Sequence, residues 1–272
     1  MTTLLLAVLA GALIGLSLGA LGGGGSILAV PVLVYALGQS PAQATTGSLV
    51  VVGLTALIGA IASYRAGNVL LARGVTFGVV ALGGAAAGAK GAAHVAEPVL
   101  LASFAALMLL VGGVMAVRQL RPGTGEPTPN ARLDDPIITF SPTFACACPR
   151  ALKVLVTATV VGLLTGFLGV GGGFLVVPAL VLALALPMEF AVGTSLVVIA
   201  MTSSMALVVR AGSVTQPDWG VVVALTVASV AAGIAGARVA DRADTTKLSA
   251  AFTVLVLAVA VYTAARALPA LF

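Results

Sequence analysis

The sequence predicts an all-α, polytopic membrane protein made of two homologous tandem repeats. Three observations lead to this class: the composition is strongly apolar, apolar blocks of membrane-spanning length follow one another, and a glycine-rich stretch occurs twice. Hydrophobic residues make up 60% of the 272 residues and charged residues 8%, with a mean hydropathy of +1.21. Soluble domains carry roughly a quarter charged residues, so the composition excludes a soluble fold with a charged shell.

The positive charge of the chain does not indicate a nucleic-acid partner. The formal net charge is +5, but Lys and Arg occur singly at the ends of apolar segments and form no basic face. Charges placed in this way orient helices in a lipid bilayer. Residues 4–20 resemble a secretory signal, but no Lys or Arg precedes them and their counterpart at 151–167 lies deep inside the chain.

The apolar segments fall into two sets. The first set covers residues 4–21, 27–37, 44–64, 74–93 and 98–117, and the second covers 151–168, 174–186, 190–209, 219–239 and 248–267. We expect each half to contain a helix pair broken at the glycines plus three transmembrane helices. The domain prediction is a first transmembrane repeat at 1–118, a polar inter-repeat loop at 119–149 and a second transmembrane repeat at 150–272.

The evidence for duplication lies in glycine and proline positions. Residues 15–31 return as residues 162–178, an offset of 147 (178 − 31), with glycines and the final proline in register. The offset also relates Ser48 to Ser195, and Arg65-Ala-Gly returns as Arg210-Ala-Gly. Repeats that each contain a broken helix are typical of transporters whose binding site lies between the halves.

The charges bear on how the two halves are oriented. If each broken pair crosses the membrane once, the halves are parallel, and nine Lys or Arg residues lie on the side of the inter-repeat loop, against four. If each pair enters and leaves as a hairpin, the halves are inverted and the numbers become ten and three. The positive-inside rule favours the inverted arrangement and, in both cases, a cytoplasmic loop.

The glycine runs predict unwound backbone at membrane depth. Each glycine weakens a helix by about 1 kcal/mol relative to alanine, and unwound backbone survives in a bilayer only where it lines protein or a water-filled cavity. Pro31 and Pro178 are predicted to lie in the first turn of the restarting helices. The N-terminal amides of those helices would then face the breaks and favour an anion.

The candidate substrate-binding residues are the glycines of the two breaks and the hydroxyl residues near the start of the next helix. They are Gly22, Gly23, Gly24, Gly25, Ser26, Thr46, Ser48, Gly169, Gly171, Gly172, Gly173, Thr194 and Ser195. Two alternatives to substrate binding stay open. Glycines also allow close helix packing, for which Gly11, Gly15 and Gly19 have the right spacing. Hydroxyls can also cap helices or bond to their own backbone.

Charged and thiol side chains supply secondary candidates. Arg65 and Arg210 end the helices that follow the hydroxyl clusters, so we interpret them as charges of a vestibule. Cys146 and Cys148 precede the second half, where they are either free thiols or contacts for a sulfur-containing substrate at the pore mouth. A disulfide between residues i and i+2 is strained, and the sequence predicts no metal site and no cofactor.

These residues carry a family resemblance. The doubled Gly-x-x-x-Gly-x-x-Gly-x-Gly-Gly-Gly-x-x-x-x-Pro pattern is complete at 162–178 and nearly so at 15–31, and Ala-x-Gly-Thr-Ser follows at 191–195. With the Arg-Ala-Gly-Asn tail, the chain resembles the sulfite exporter TauE/SafE family over both halves. The resemblance implies a bacterial inner-membrane permease for small sulfur-containing anions. The first copy departs from the pattern at Gly23 and Ser26, so the halves are expected to contribute unequally.

The sequence-based interpretation is a secondary transporter, not an enzyme, that exports sulfite or an organosulfonate by alternating access. An uptake permease for another small anion is the alternative, followed by a membrane-embedded thiol redox protein using Cys146 and Cys148. Intramembrane charge is too sparse to choose between a proton and sodium as coupling ion. The oligomeric state is not specified.

Overall fold

The structure, a computed structural model, describes residues 2–92, 94–95, 97–120, 148–168, 173–184, 186–210, 217–240 and 245–267. The first half forms α1 (Thr2–Leu21), α2 (Gly24–Pro31) with a π-helical continuation (Val32–Ala36), α3 (Pro41–Arg65), α4 (Leu71–Ala92) and α5 (Glu97–Leu120). The second half forms α6 (Cys148–Leu168), α7 (Gly173–Ala183), α8 (Met188–Arg210), α9 (Trp219–Ala240) and α10 (Thr245–Ala267). The described residues contain no strand, which confirms the all-α prediction.

The helices have the length and surface of membrane spans. Among the described residues, α1, α3, α4, α8 and α9 are long and apolar enough to cross a bilayer. Large apolar side chains such as Leu13, Val208 and Val227 are exposed, as expected where helices contact lipid acyl chains. The protein is therefore a multi-pass membrane protein.

Small residues bring pairs of helices into backbone contact. Gly11, Gly15 and Gly19 on α1 lie in turn against Leu225, Ser229 and Gly233 on α9, so tightly that a Cβ at any of the three would meet backbone atoms. The hydroxyl of Ser229 donates a 2.8 Å hydrogen bond across the contact to the carbonyl of Gly11. The helix-packing interpretation of these three glycines is confirmed.

The same type of contact recurs in a second helix pair. Gly162 and Gly166 on α6 lie against the backbone of Ala81 and Ala85 on α4. Packing partners are thus exchanged between the halves: α1 packs on α9, whereas α6, the counterpart of α1, packs on α4. A two-fold relation between the halves would produce this exchange.

The order of contacts gives the direction of each helix. Contacts along α1 and α9 advance together, and so do those along α3 and α9, where Gly47 meets Val222 and Thr55 meets Gly233. Helices α1, α3 and α9 therefore run in one direction.

The central pair of helices runs in opposite directions. On α3 and α8 the order of contacts is reversed, since Gly53 lies against Ser203 and Gly59 against Leu196. Helix α4 runs parallel to α8, because Gly74 and Gly78 on α4 meet Thr194 and Met201 in turn. Helix α6 runs parallel to α4, since Gly162 and Gly166 meet Ala81 and Ala85 in turn. The helices that the sequence pairs as counterparts, such as α3 and α8, are antiparallel, which favours the inverted arrangement.

The glycine break turns the chain back on itself. Because α1 and α3 run in the same direction, the segment between them must return through the bundle. Gly25, near the start of α2, lies against Ile14 and Leu18 of α1, a contact that a continuing helix could not make. The break is therefore the tip of a hairpin.

The prediction for the position of Pro31 is wrong. The break is confined to Gly22 and Gly23, α2 begins at Gly24, and Pro31 is the last residue of α2. Pro178 likewise lies inside α7. The helix restarts at once because helical backbone satisfies its own hydrogen bonds in the bilayer. After Pro31 the backbone hydrogen bonds change from the α-helical to the π-helical pattern, in which the Leu37 amide donates to the Val32 carbonyl at 3.0 Å.

Cysteine cross-linking tests the antiparallel arrangement of α3 and α8. A Cβ on Gly53 would lie 3.2 Å from the Cβ of Ser203, close to the spacing of about 3.8 Å in disulfides. In a chain lacking Cys146 and Cys148, we expect Gly53→Cys with Ser203→Cys to cross-link on mild oxidation, seen as a gel shift. The control, Gly53→Cys with Leu196→Cys, should not react, and cross-linking of the control pair alone would refute the arrangement.

Candidate functional site

The first break is a left-handed turn followed by an uncapped helix start. Gly22 has φ +67°, which glycine adopts without the strain a side chain would add. Gly23 occupies the N-cap position of α2 and offers no side chain to the first amides. Ser26 donates a 2.7 Å bond to the Gly23 carbonyl from its hydroxyl. No side chain caps this helix start, and the amide of Ser26 also bonds to the Gly23 carbonyl, at 3.2 Å.

The start of α7 meets the first break in the middle of the bundle. A Cβ on Gly173 would lie 2.8 Å from the Cα of Gly23, 2.8 Å from the Ser26 hydroxyl and 2.8 Å from Ile199 of α8. Gly173 is the first residue of α7, which follows the second glycine run. We call the group Gly22, Gly23, Ser26, Gly173 and Ser195 the glycine junction.

Ser195 joins the junction from the side of Gly22. Its hydroxyl lies 2.8 Å from the position that a Cβ on Gly22 would take, and it donates to the Val192 carbonyl at 2.7 Å. Its counterpart Ser48 makes the same local bond, to the Thr45 carbonyl at 2.9 Å. Both serines are fully buried, so each keeps a hydroxyl oxygen inside the bundle.

Four other predicted residues make contacts of their own in the structure. Thr194 accepts a 3.1 Å bond from the Leu70 amide and so fastens the α3–α4 connection to α8. Thr46 donates to the Ala42 carbonyl of its own helix at 3.2 Å. Gly25 packs on α1, and Gly24 lies beside Leu21. The assignment of these four residues to the binding site stays a prediction.

Some predicted residues fall outside the described part of the chain. Gly169, Gly171, Gly172 and Cys146 are among the residues that the structure does not describe, and the side chain of Cys148, where α6 begins, is also outside it. Their assignment remains a prediction.

The two candidate vestibule arginines lie at opposite ends of the bundle, because α3 and α8 are antiparallel. Arg65 ends α3 and is exposed. Arg210 ends α8, is half-buried, and donates a 3.3 Å bond to the Gly166 carbonyl of α6. Each end of the bundle thus carries one basic residue from the repeated Arg-Ala-Gly sequence.

Two polar residues of interest were not among the sequence-based candidates. Ser203 is fully buried beside Gly53 and has no hydrogen-bond partner among the described residues, whereas Thr202 and Ser204 bond to their own helix. Gln39 is also buried, and neither atom of its carboxamide has a partner in the described part of the chain. Comparing the halves could have found Gln39, because the same offset of 147 pairs it with Leu186.

The junction is free of acidic side chains. Helices α1, α2, α3 and α7 contain no Asp or Glu, and α8 contains only Glu189, in its first turn. Hydroxyls and backbone amides are its polar groups, and the Ser26 and Ser195 hydroxyls would donate to an anion only by leaving the carbonyl bonds that they make here.

Comparison with known proteins identifies the family. The family model described as sulfite exporter TauE/SafE matches residues 7–263. The chain belongs to this family. A protein named probable membrane transporter protein, from Xylella fastidiosa, is 33% identical over 264 residues, which cover 96% of this chain and 94% of that protein. A protein of the same name from a second strain is 32% identical over 265 residues, with the same coverage. No solved structure matches significantly.

Membership of the TauE/SafE family makes the protein a membrane transporter for a small anion, and not an enzyme. The glycine patterns on which the resemblance rests are those that form the hairpin tip at Gly22 and the start of α7 at Gly173. Relatedness over nearly the whole chain means that both halves belong to the transporter.

Gly173→Ala tests whether the junction binds the anion. The added methyl group would meet the Cα of Gly23, which cannot rotate away, and would push the two helix starts apart. We expect sulfite affinity of the folded protein to fall at least tenfold, or ~1.4 kcal/mol, measured by titration of purified protein.

Two alanine variants serve as controls for Gly173→Ala. The methyl group added by Gly83→Ala on α4 enters open space, so this variant should lower neither sulfite affinity nor thermal stability. Gly15→Ala should lower thermal stability by overpacking α1 against α9, while the folded fraction keeps its affinity. Wild-type affinity in Gly173→Ala would place the binding site elsewhere.

Proposed function

We propose that the protein exports a small sulfur-containing anion, such as sulfite or an organosulfonate, across a bacterial inner membrane. The observation that carries the proposal is the glycine junction, where the first break and the start of α7 meet inside the bundle beside the hydroxyl groups of Ser26 and Ser195. The family described as sulfite exporters supports the substrate class and the direction.

Alternating access suits the arrangement of the helices. The junction lies where α2 meets α7, so rocking the unit that contains α1 and α9 against the unit that contains α4 and α6 would open the junction to each side in turn. Helix contacts through glycine, as between α1 and α9, keep each moving unit rigid. The helices of the junction offer no acidic pair to a coupling ion. A coupling proton or sodium ion would therefore bind at another place in the protein.

The sidedness follows from the basic residues. In the inverted arrangement ten Lys or Arg residues lie on the side of the loop at 119–149 and three on the other. We therefore assign that loop, with Arg65, to the cytoplasm and the end of the bundle with Arg210 to the opposite face.

Flux measurements test the proposed substrate class. Reconstituted protein should accelerate the movement of sulfite or a short sulfonate across sealed liposomes without converting it, because the junction offers binding groups but no reactive group. The measurement is internal anion over time for sulfite, sulfate, thiosulfate, sulfonates and carboxylates. Equal fluxes with and without protein over the sulfur compounds would rule out the proposal, and selective carboxylate flux would favour the uptake alternative.

The cysteines distinguish transport from thiol chemistry. Replacing Cys146 and Cys148 with Ser should leave folding intact and reduce transport by less than about tenfold, ~1.4 kcal/mol in transition-state terms, because both precede the repeated core. A folded double variant without transport would instead place the thiols in the mechanism.

A further inference from the structure

The segment that joins the π-helical turn to α3 holds its backbone rigidly. Gly38 has φ +66°, and the amide of Gln39 donates to the Leu33 carbonyl at 3.0 Å. Ser40 then caps α3, since its hydroxyl accepts from the Gln43 amide while the Gln43 side chain accepts from the Ser40 amide. Gln39 is therefore fixed between two bonded turns.

The side chain of Gln39 is buried in apolar surroundings with its polar atoms unpaired. Only 8% of the residue is exposed, and Oε1 and Nε2 both lack a hydrogen-bond partner among the described residues. Oε1 lies 3.7 Å from the position that a Cβ on Gly47 would take, beside Leu33 and Val222. Leaving a buried amide unpaired destabilises the fold, so a packing role alone would favour an apolar residue here.

The second half shows that the fold accepts an apolar residue at this position. The amide of Leu186 bonds to the Leu180 carbonyl at 3.2 Å, just as the Gln39 amide bonds to Leu33, and Leu186 is likewise buried. The turn thus needs no glutamine. The carboxamide in the first half is retained at a cost in stability, which is expected of a group that binds something.

The position of Gln39 points to the transported anion. Gln39 lies against Gly47, next to Ser48, the counterpart of the junction residue Ser195. It lies at the end of the bundle where α3 begins and α8 ends in Arg210, and α1–α3 contain no acidic residue. Asp218, one turn before Val222 on α9, is exposed, and its carboxylate accepts from the Gly220 amide at 3.0 Å. A carboxamide N–H in such surroundings is a donor for an anion.

We propose that Gln39 binds the transported anion through its carboxamide, at a station between the glycine junction and the face away from the inter-repeat loop. This inference rests on the proposed function. The corresponding position on the loop side holds Leu186, so the two halves of the pathway differ chemically. The amide would offer the anion a neutral, easily released partner on one side only.

The test compares the same substitution at two glutamines of one turn. Gln39→Leu installs the residue found at Leu186. Gln43→Leu removes the side-chain half of the capping box, the bond from the Ser40 amide to the Gln43 carboxamide, and leaves Gln39 in place. Sulfite flux into proteoliposomes gives KM and maximal rate for each variant, and thermal unfolding of the purified protein gives Tm. Gln39→Glu, which places a carboxylate beside the anion, is measured in parallel.

We expect Gln39→Leu to raise KM for sulfite about tenfold, or ~1.4 kcal/mol, with Tm unchanged or higher because an unpaired amide has been removed. Gln43→Leu should lower Tm and leave KM at the wild-type value. Gln39→Glu should transport less than Gln39→Leu.

Other results would overturn the inference. A wild-type KM in Gln39→Leu, or a KM that rises only together with a loss of Tm like that of Gln43→Leu, would show that the amide binds no substrate. Higher flux in Gln39→Glu would indicate a cation instead. If wild-type protein moves none of the sulfur anions, the proposed function fails, and the inference with it.

Discussion

The need to satisfy backbone hydrogen bonds inside the bilayer underlies the rest of this structure. Unwound chain is tolerated there only against protein or water, so the helix is interrupted at the glycine run over a short distance. Gly22 and Gly23 make the turn, and α2 begins at once with Gly24. The start of α7 packs against this turn through Gly173. The requirement that confines the break thus also places the junction within the protein.

Close backbone contact between helices holds the junction in place. With little hydrophobic drive between helices in lipid, tight packing of small residues supplies the association. Gly15 on α1 meets Ser229 on α9, and Gly162 on α6 meets Ala81 on α4. Because each pair joins helices from different halves, the halves are interlocked. Because α3 and α8 are antiparallel, the hydroxyl clusters near their starts lie towards opposite ends of the bundle.

Composition, helix number and the existence of a break were predictable, because they follow from hydropathy and from glycine's weak helix propensity. The extent of the break was not, since the prediction for Pro31 weighed local propensity and not the cost of open backbone in lipid. Sequence also could not separate Gly25, which contacts α1, from Gly173, which meets the other break. Both are glycines in a glycine-rich run, and their different contacts follow from the direction in which α2 runs after the break. Gln39 escaped notice because a single polar residue in a connection is common.

The central claim is that a sulfur oxyanion binds where Gly23, Ser26 and Gly173 meet. The most direct measurement is a crystal structure of the protein with selenite, a heavier analogue of sulfite whose anomalous signal locates the anion. The account predicts one anomalous peak within hydrogen-bonding distance of the Ser26 hydroxyl and the first amides of α2. A well-occupied peak only at another place in the bundle, with the junction empty, would contradict it.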